Sequence, residues 1–268
     1  MVAATALLEP GSRVRVRFGA GTRPPGAELA LRHWLESQLA GAERAAAMIR
    51  PFADGEFGRG AEAPSPAHLA AANRLLGGLR RLLREGVTAE REAVAAALAD
   101  PSPAHLDRVG RLEESYAATV AASEKVWQFY RDIFGQRQTR IAPRLLACDR
   151  IGLDCYQAVY QGLGKARSIP APAPFAYMES GRGPATYRRD ILLSKIARLP
   201  NPFPLIKLPY HRLVAPWTLG AVPHEIGHNL QSDLDLWREI PGRIPEDLRR
   251  AGISTEVARI WARWHKEM

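Results

Sequence analysis

Prolines partition this chain more sharply than any other residue. Nine of them fall between Pro170 and Pro216, in SIPAPAPFAYMESGRGPATYRRD and ARLPNPFPLIKLPYHRLVAPW. Proline fixes φ, lacks a backbone N–H and, inside a helix, clashes with the carbonyl four residues earlier. No long helix can cross that stretch. It reads as extended, loop-rich chain with room for one or two short strands. PLIKLP at 204–209 is the best strand candidate, and its flanking prolines point to a sheet edge.

The residues before it carry helical patterns. AELALRHWLESQLAGAERAAAMIR is rich in alanine and leucine until Pro51 stops it, and a Gly- and Pro-containing loop follows. The hexapeptide PSPAHL then occurs at 64–69 and again at 101–106. Each copy is a helix start, with Ser65 or Ser102 as N-cap and Pro66 or Pro103 at the first helical position. Two similar caps explain the repeat better than a duplicated hairpin, because little beyond Arg74/Arg111 and Leu75/Leu112 continues the match. His68 and His105, in first turns, are expected near the surface and outside any ligand set. PAHLDRVGRLEESYAATVAASEKVWQFYRDIF and IAPRLLACDRIGLDCYQAVYQGLG extend the helical pattern, so 27–164 should hold about five helices. Ahead of them, Val14, Val16 and Phe18 alternate with arginines as a short strand. The expected fold is mainly α. A helical section over 1–163, with its short N-terminal strand, precedes an α+β section over 164–268 with a small sheet.

Composition narrows the function classes. A hydrophobic fraction of 46% and a charged fraction of 24% are those of a soluble globular protein. No apolar run approaches bilayer length, and the N-terminus lacks the basic region and long apolar segment of a signal peptide. A cytoplasmic location without membrane partners is the expectation. Cys148 and Cys155 are seven residues apart, about 10.5 Å along a helix, too far for a disulfide, whose Cα atoms lie within roughly 7 Å. They are expected to be reduced thiols. The net charge of +9 raises the question of nucleic acid. Arginine, however, outnumbers lysine 32 to 5 in a chain also rich in Ala, Gly and Pro, which is the imprint of a GC-rich coding sequence. The densest basic cluster, GLRRLLREG at 78–86, interleaves its charges with leucines and has no aromatic residue for base stacking. Solvated helix faces account for the charge, and no nucleic-acid partner is expected.

One short stretch carries chemistry. AVPHEIGHNLQSD at 221–233 contains His-Glu-x-x-His. On a helix, positions i and i+4 share a face, so His224 and His228 can both reach one ion at Zn–N distances of about 2.0–2.1 Å. Glu225 lies one position round, beside the metal, where it can take a proton from the attacking water. Pro223 falls in the first turn, where a missing N–H costs nothing. A catalytic zinc also needs a third protein ligand and an open position. Gln231 and Leu234 stand where a metzincin has glycine and a third ligand, so the ligand must come from elsewhere. STEVARIWARWHKEM at 254–268 reads as a helix capped by Ser254, with Val257, Ile260, Trp261, Trp264 and Met268 as its apolar stripe. Glu256 and Glu267, about three turns apart, flank that stripe on one side, and periodicity does not choose between them.

HEIGH followed by a glutamate-bearing helix resembles the zincin metallopeptidases of the gluzincin type, over about residues 216–268. The resemblance implies a zinc-dependent peptidase acting on peptides or proteins, with Glu225 as general base and a helix-borne glutamate as third ligand. Gluzincins often carry an aspartate three or four residues after that glutamate. Here Ile260 follows Glu256, and only Met268 follows Glu267. The apolar stripe runs to the last residue, the pattern of a section truncated at its C-terminus. On that reading Glu267 is the ligand, as the likeness of WARWHKEM to the ligand helix also implies. His265 could be an auxiliary ligand but is expected to face solvent. Asp233, Asp235 and Glu239 are expected in capping and surface roles, and Tyr210 and His211 precede the motif closely enough to serve an oxyanion. The substrate would lie along an edge strand upstream of the motif. The rival expectation is a non-catalytic helical interaction module with a degenerate or structural metal site.

Overall fold

A computed structural model describes residues 26–265; the strand expected at 14–18, together with Glu267, lies outside them. The described chain is mainly α-helical, with a small mixed sheet inserted before its last helices. Helices α1 (Ala27–Met48), α2 (Pro66–Ala99) and α3 (Pro103–Gly135) pack as a bundle, followed by a 3-10 turn at Gln136–Gln138 and α4 (Ala142–Gly162). That is four α-helices and one 3-10 turn where about five helices were expected, because α2 runs unbroken through Gly77, Gly78 and Gly86. Gly86 is used for packing. A Cβ there would lie 2.5 Å from Tyr116 Cδ2. With that space free, the Tyr116 ring of α3 rests on α2, and its hydroxyl donates to Ala42 O of α1 at 2.9 Å. One side chain thereby joins three helices.

Both PSPAHL copies are caps. Ser65 Oγ accepts from His68 N and Ser102 Oγ from His105 N, each at 3.4 Å, with a proline in the first turn of α2 and of α3. The two histidines then part ways. His105 is partly exposed, whereas His68 is buried, contrary to the expectation of a surface residue. The chain preceding the sheet folds over it, so that Ala173 O receives its Nε2 at 2.8 Å, and Phe175 and Phe203 pack against its ring.

The proline-rich stretch contains strands β1 (Phe175–Met178), β2 (Ala185–Tyr187), β3 (Leu192–Leu193), β4 (Leu199–Pro200) and β5 (Leu205–Leu208). β3 and β4 form a two-stranded ribbon. The other three form a sheet in the order β1-β5-β2, with β1 parallel and β2 antiparallel to β5. The segment PLIKLP is therefore the central strand and not an edge. Its prolines, Pro204 and Pro209, flank the paired residues 205–208, so no ladder N–H is lost, and Pro204 O still accepts from Phe175 N at 2.9 Å.

Alternation along these strands builds two cores. Phe175, Tyr177 and Leu205 join an aromatic cluster with Phe52, Phe57, Tyr130, Phe134 and Phe203, drawing on residues from both sides of Leu163. Ala176, Ile206 and Leu208 face the opposite way, onto Leu145, Cys148 and Tyr156 of α4 and onto Val222 and Ile226 of the motif helix.

The outer edge of β1 is closed by side chains. Arg137, with a fully buried side chain, donates to Ala176 O at 2.6 Å and to Asp149 Oδ2 at 2.7 Å, while Asp149 Oδ1 accepts from Ala176 N at 2.7 Å. Gln136 does the same for Met178, accepting from its N–H at 2.7 Å and donating to its carbonyl at 2.8 Å. These groups replace a fourth strand, which leaves β2 as the edge paired on one side only among the described residues.

Candidate metal centre

Helix α6 (Ala221–Asp233) carries the His-Glu-x-x-His motif, with Pro223 in its first turn as expected. Val222, Ile226 and Leu230 are buried in the core shared with α4 and the sheet, and this fixes which face of α6 turns outward. Gly152 of α4 allows that approach, since a Cβ there would sit 3.0 Å from Ile226 Cδ1. His224 is exposed and His228 partly exposed, on the same side. Their ring centres are 4.8 Å apart with the planes at 81°. Two imidazoles sharing one tetrahedral zinc have ring centres about 5 Å apart, so the spacing suits a shared ion. Glu225, between them in sequence, is 8% exposed.

Two neighbours hold this helix in place. Asn229 Nδ2 donates to Thr186 Oγ1 at 2.7 Å and to Glu225 O at 3.2 Å, tying α6 to β2. Asp233 Oδ2, at the end of α6, accepts from the buried Tyr156 hydroxyl at 2.7 Å, and its other oxygen lies 4.0 Å from Arg189 Nε. Asp233 is thus a structural anchor. Asp235 sits at the start of α7 (Leu236–Arg250) with φ 58°, and Glu239 lies exposed in that helix's first turn. Tyr210 and His211 open the single turn α5 (Tyr210–Leu213) and face solvent.

Trp237 of α7 is a residue that motif reading missed. Its ring stacks on His228 at 6.4 Å, its Nε1 donates to His228 O at 3.3 Å, and Arg188, just past β2, lies over it at 4.3 Å. The same ring makes a T-shaped contact with His265, the ring centres 5.5 Å apart and the planes at 84°. His265, at the end of α8 (Thr255–Trp264), is therefore 6% exposed and not solvent-facing. Its Nδ1 is 2.8 Å from Ala262 O, and its Nε2 has no hydrogen-bond partner among the described residues. The only signal in the sequence was tryptophan itself, nine residues after His228 on the next helix.

The C-terminal end of α8 is thus the end that meets Trp237 of α7, the ring that stacks on His228. Glu256 lies exposed in the first turn of α8, nine residues before His265 and about 13 Å away along the axis. Glu267 falls outside the described residues. Among the described residues, no group of three or more His, Cys, Asp or Glu side chains is arranged to hold a metal ion. Both cysteines are free, and burial pushes the Cys148 thiol up to about 12. No helix among the described residues is long and apolar enough to cross a membrane.

Comparison with protein-family models, curated proteins and solved structures found no match.

Proposed function

We propose that this chain is a zinc-dependent peptidase of the zincin type with Glu225 as its general base. One observation carries the reading: His224 and His228 share a face of α6 at a ring spacing that suits a common ion, with the buried Glu225 next to His224 in the same helix. His224, His228 and Glu267 would hold the zinc, which when bound supplies a lowered water pKa and a polarised carbonyl. Glu225 takes the proton from the attacking water and passes it to the leaving amine. Asn229 and Trp237 act as positioning residues, the first fixing α6 against β2 and the second bracing the His228 ring. An extended peptide would add to the outer side of β2, the edge strand tied to α6. The two free cysteines accord with a reducing, cytoplasmic setting.

Elemental mass spectrometry on the untagged chain should find about one zinc per molecule, lost in H228A. Zinc-loaded protein should cleave members of a peptide library. E225Q should keep its zinc and lose at least about a hundredfold in rate. No zinc in either protein after zinc is supplied, or undiminished cleavage by E225Q, would overturn the reading. The exposed apolar side chains Ile253, Val257, Ile260, Trp261 and Trp264 favour a second one, a non-catalytic helical interaction module. Zinc binding without Glu225-dependent cleavage is the outcome that selects it.

A further inference from the structure

A cleft of about 290 Å³ opens between α1, α2 and α3, on elements that contribute nothing to the motif helix. Its floor holds Glu90, which is only 4% exposed and whose Oε1 has no hydrogen-bond partner among the described residues. A buried carboxylate without a partner is costly, and native structures rarely keep one without a use. Two more carboxylates, Glu113 and Glu124, stand exposed at the mouth. Of the chain's 37 lysines and arginines, none lines the cleft, and no histidine does. A pocket of three acids with no base, in a protein of net charge +9, calls for a cationic occupant.

The other groups say which kind of cation. Tyr116 has committed its proton to Ala42 O, so its oxygen offers the cleft lone pairs and no donor. Glu113 is already engaged, since Gln38, with its amide oriented to satisfy both neighbours, donates to Glu113 Oε1 at 2.7 Å and accepts from Trp34 Nε1 at 3.1 Å. The remaining wall is apolar, made by Ala42, Ala45 and Val120. A bare metal ion would need three or more clustered ligands, which the described residues do not provide. An ammonium group on a short hydrocarbon matches both parts, its N–H groups meeting acceptors and its chain meeting methyl groups.

We propose that the α1–α2–α3 cleft binds a small aliphatic primary amine, with the ammonium on Glu90 and the alkyl chain against Ala42, Ala45 and Val120. Burial, with Glu113 adding to it, pushes the Glu90 carboxyl upward, and a bound ammonium would reverse that by supplying the missing counter-charge.

The test is titration calorimetry of the full chain with n-hexylamine and, separately, n-hexanol. The amine should bind saturably at one site, and the alcohol at least about tenfold more weakly. E90Q, which keeps the shape and removes the charge, should lose at least about tenfold in amine affinity. A121K, at an exposed position on the cleft wall, should do likewise by placing a resident ammonium beside the site. Absence of saturable binding by the amine, equal binding of the alcohol, or unchanged affinity in either variant would overturn the proposal.

Discussion

His68 shows how a single side chain can tie stability to pH. A carbonyl oxygen only accepts, so Nε2 carries the proton donated to Ala173 O, and Nδ1 accepts from the Ser65 hydroxyl at 2.7 Å. Both ring nitrogens are satisfied in the neutral form. Burial, with the nearby Arg137 and Arg189 charges adding to it and the Ala173 bond opposing, lowers the pKa from 6.5 to about 4. The sign follows from which state binds the proton. Between pH 6.5 and about 4 the unfolded chain is protonated at this histidine and the folded chain is not. The stabilisation is complete above 6.5 and is lost as pH falls toward 4. Urea unfolding should therefore show wild type losing about 3 kcal/mol more than H68Q between neutral and acidic pH. Parallel pH profiles for the two proteins would remove His68 from that role.

The two PSPAHL helices offer a matched comparison at the scale of elements. S102A removes only a cap and should cost about 1 kcal/mol. S65A removes the same cap and also leaves His68 Nδ1 buried without a partner, which should add about 1–3 kcal/mol. Equal losses in thermal or urea unfolding would show that Ser65 is nothing more than a cap. These elements were legible because their signals are local: serine, proline and periodicity mark α2 and α3 within a few residues. What the sequence hid is nonlocal. A first-turn position points His68 to the surface, yet Ala173, 105 residues away, covers it. Its helix pattern points His265 to solvent, yet the residue is buried with Trp237 against its ring. Proline weakens a ladder and so points PLIKLP to an edge, but both prolines stand just outside the paired span. The motif helix was legible in full, from Pro223 to the shared face of His224 and His228. Its brace by Trp237 and its tether from Asn229 to Thr186 depend on how helices and strands meet, which no window of sequence records.

Over the whole molecule, an ion that binds only the folded chain stabilises all of it. With zinc at a hundred times its dissociation constant, the gain should be about 2.7 kcal/mol, read as a rise in unfolding temperature. E225Q should show the same rise and H228A none, which separates holding the ion from using it. A rise in H228A equal to that of wild type would place the zinc elsewhere. The sheet that borders this site has another consequence. Exposed strand edges are templates on which further strands add, between molecules as readily as within one. By giving Gln136, Arg137 and Asp149 to the backbone of β1, the chain caps one end of its sheet against such growth. Within the three-stranded sheet, β2 is the edge that these side chains do not cap. The same asymmetry that guards against intermolecular aggregation at one edge makes the other the place where the proposed peptide substrate would add.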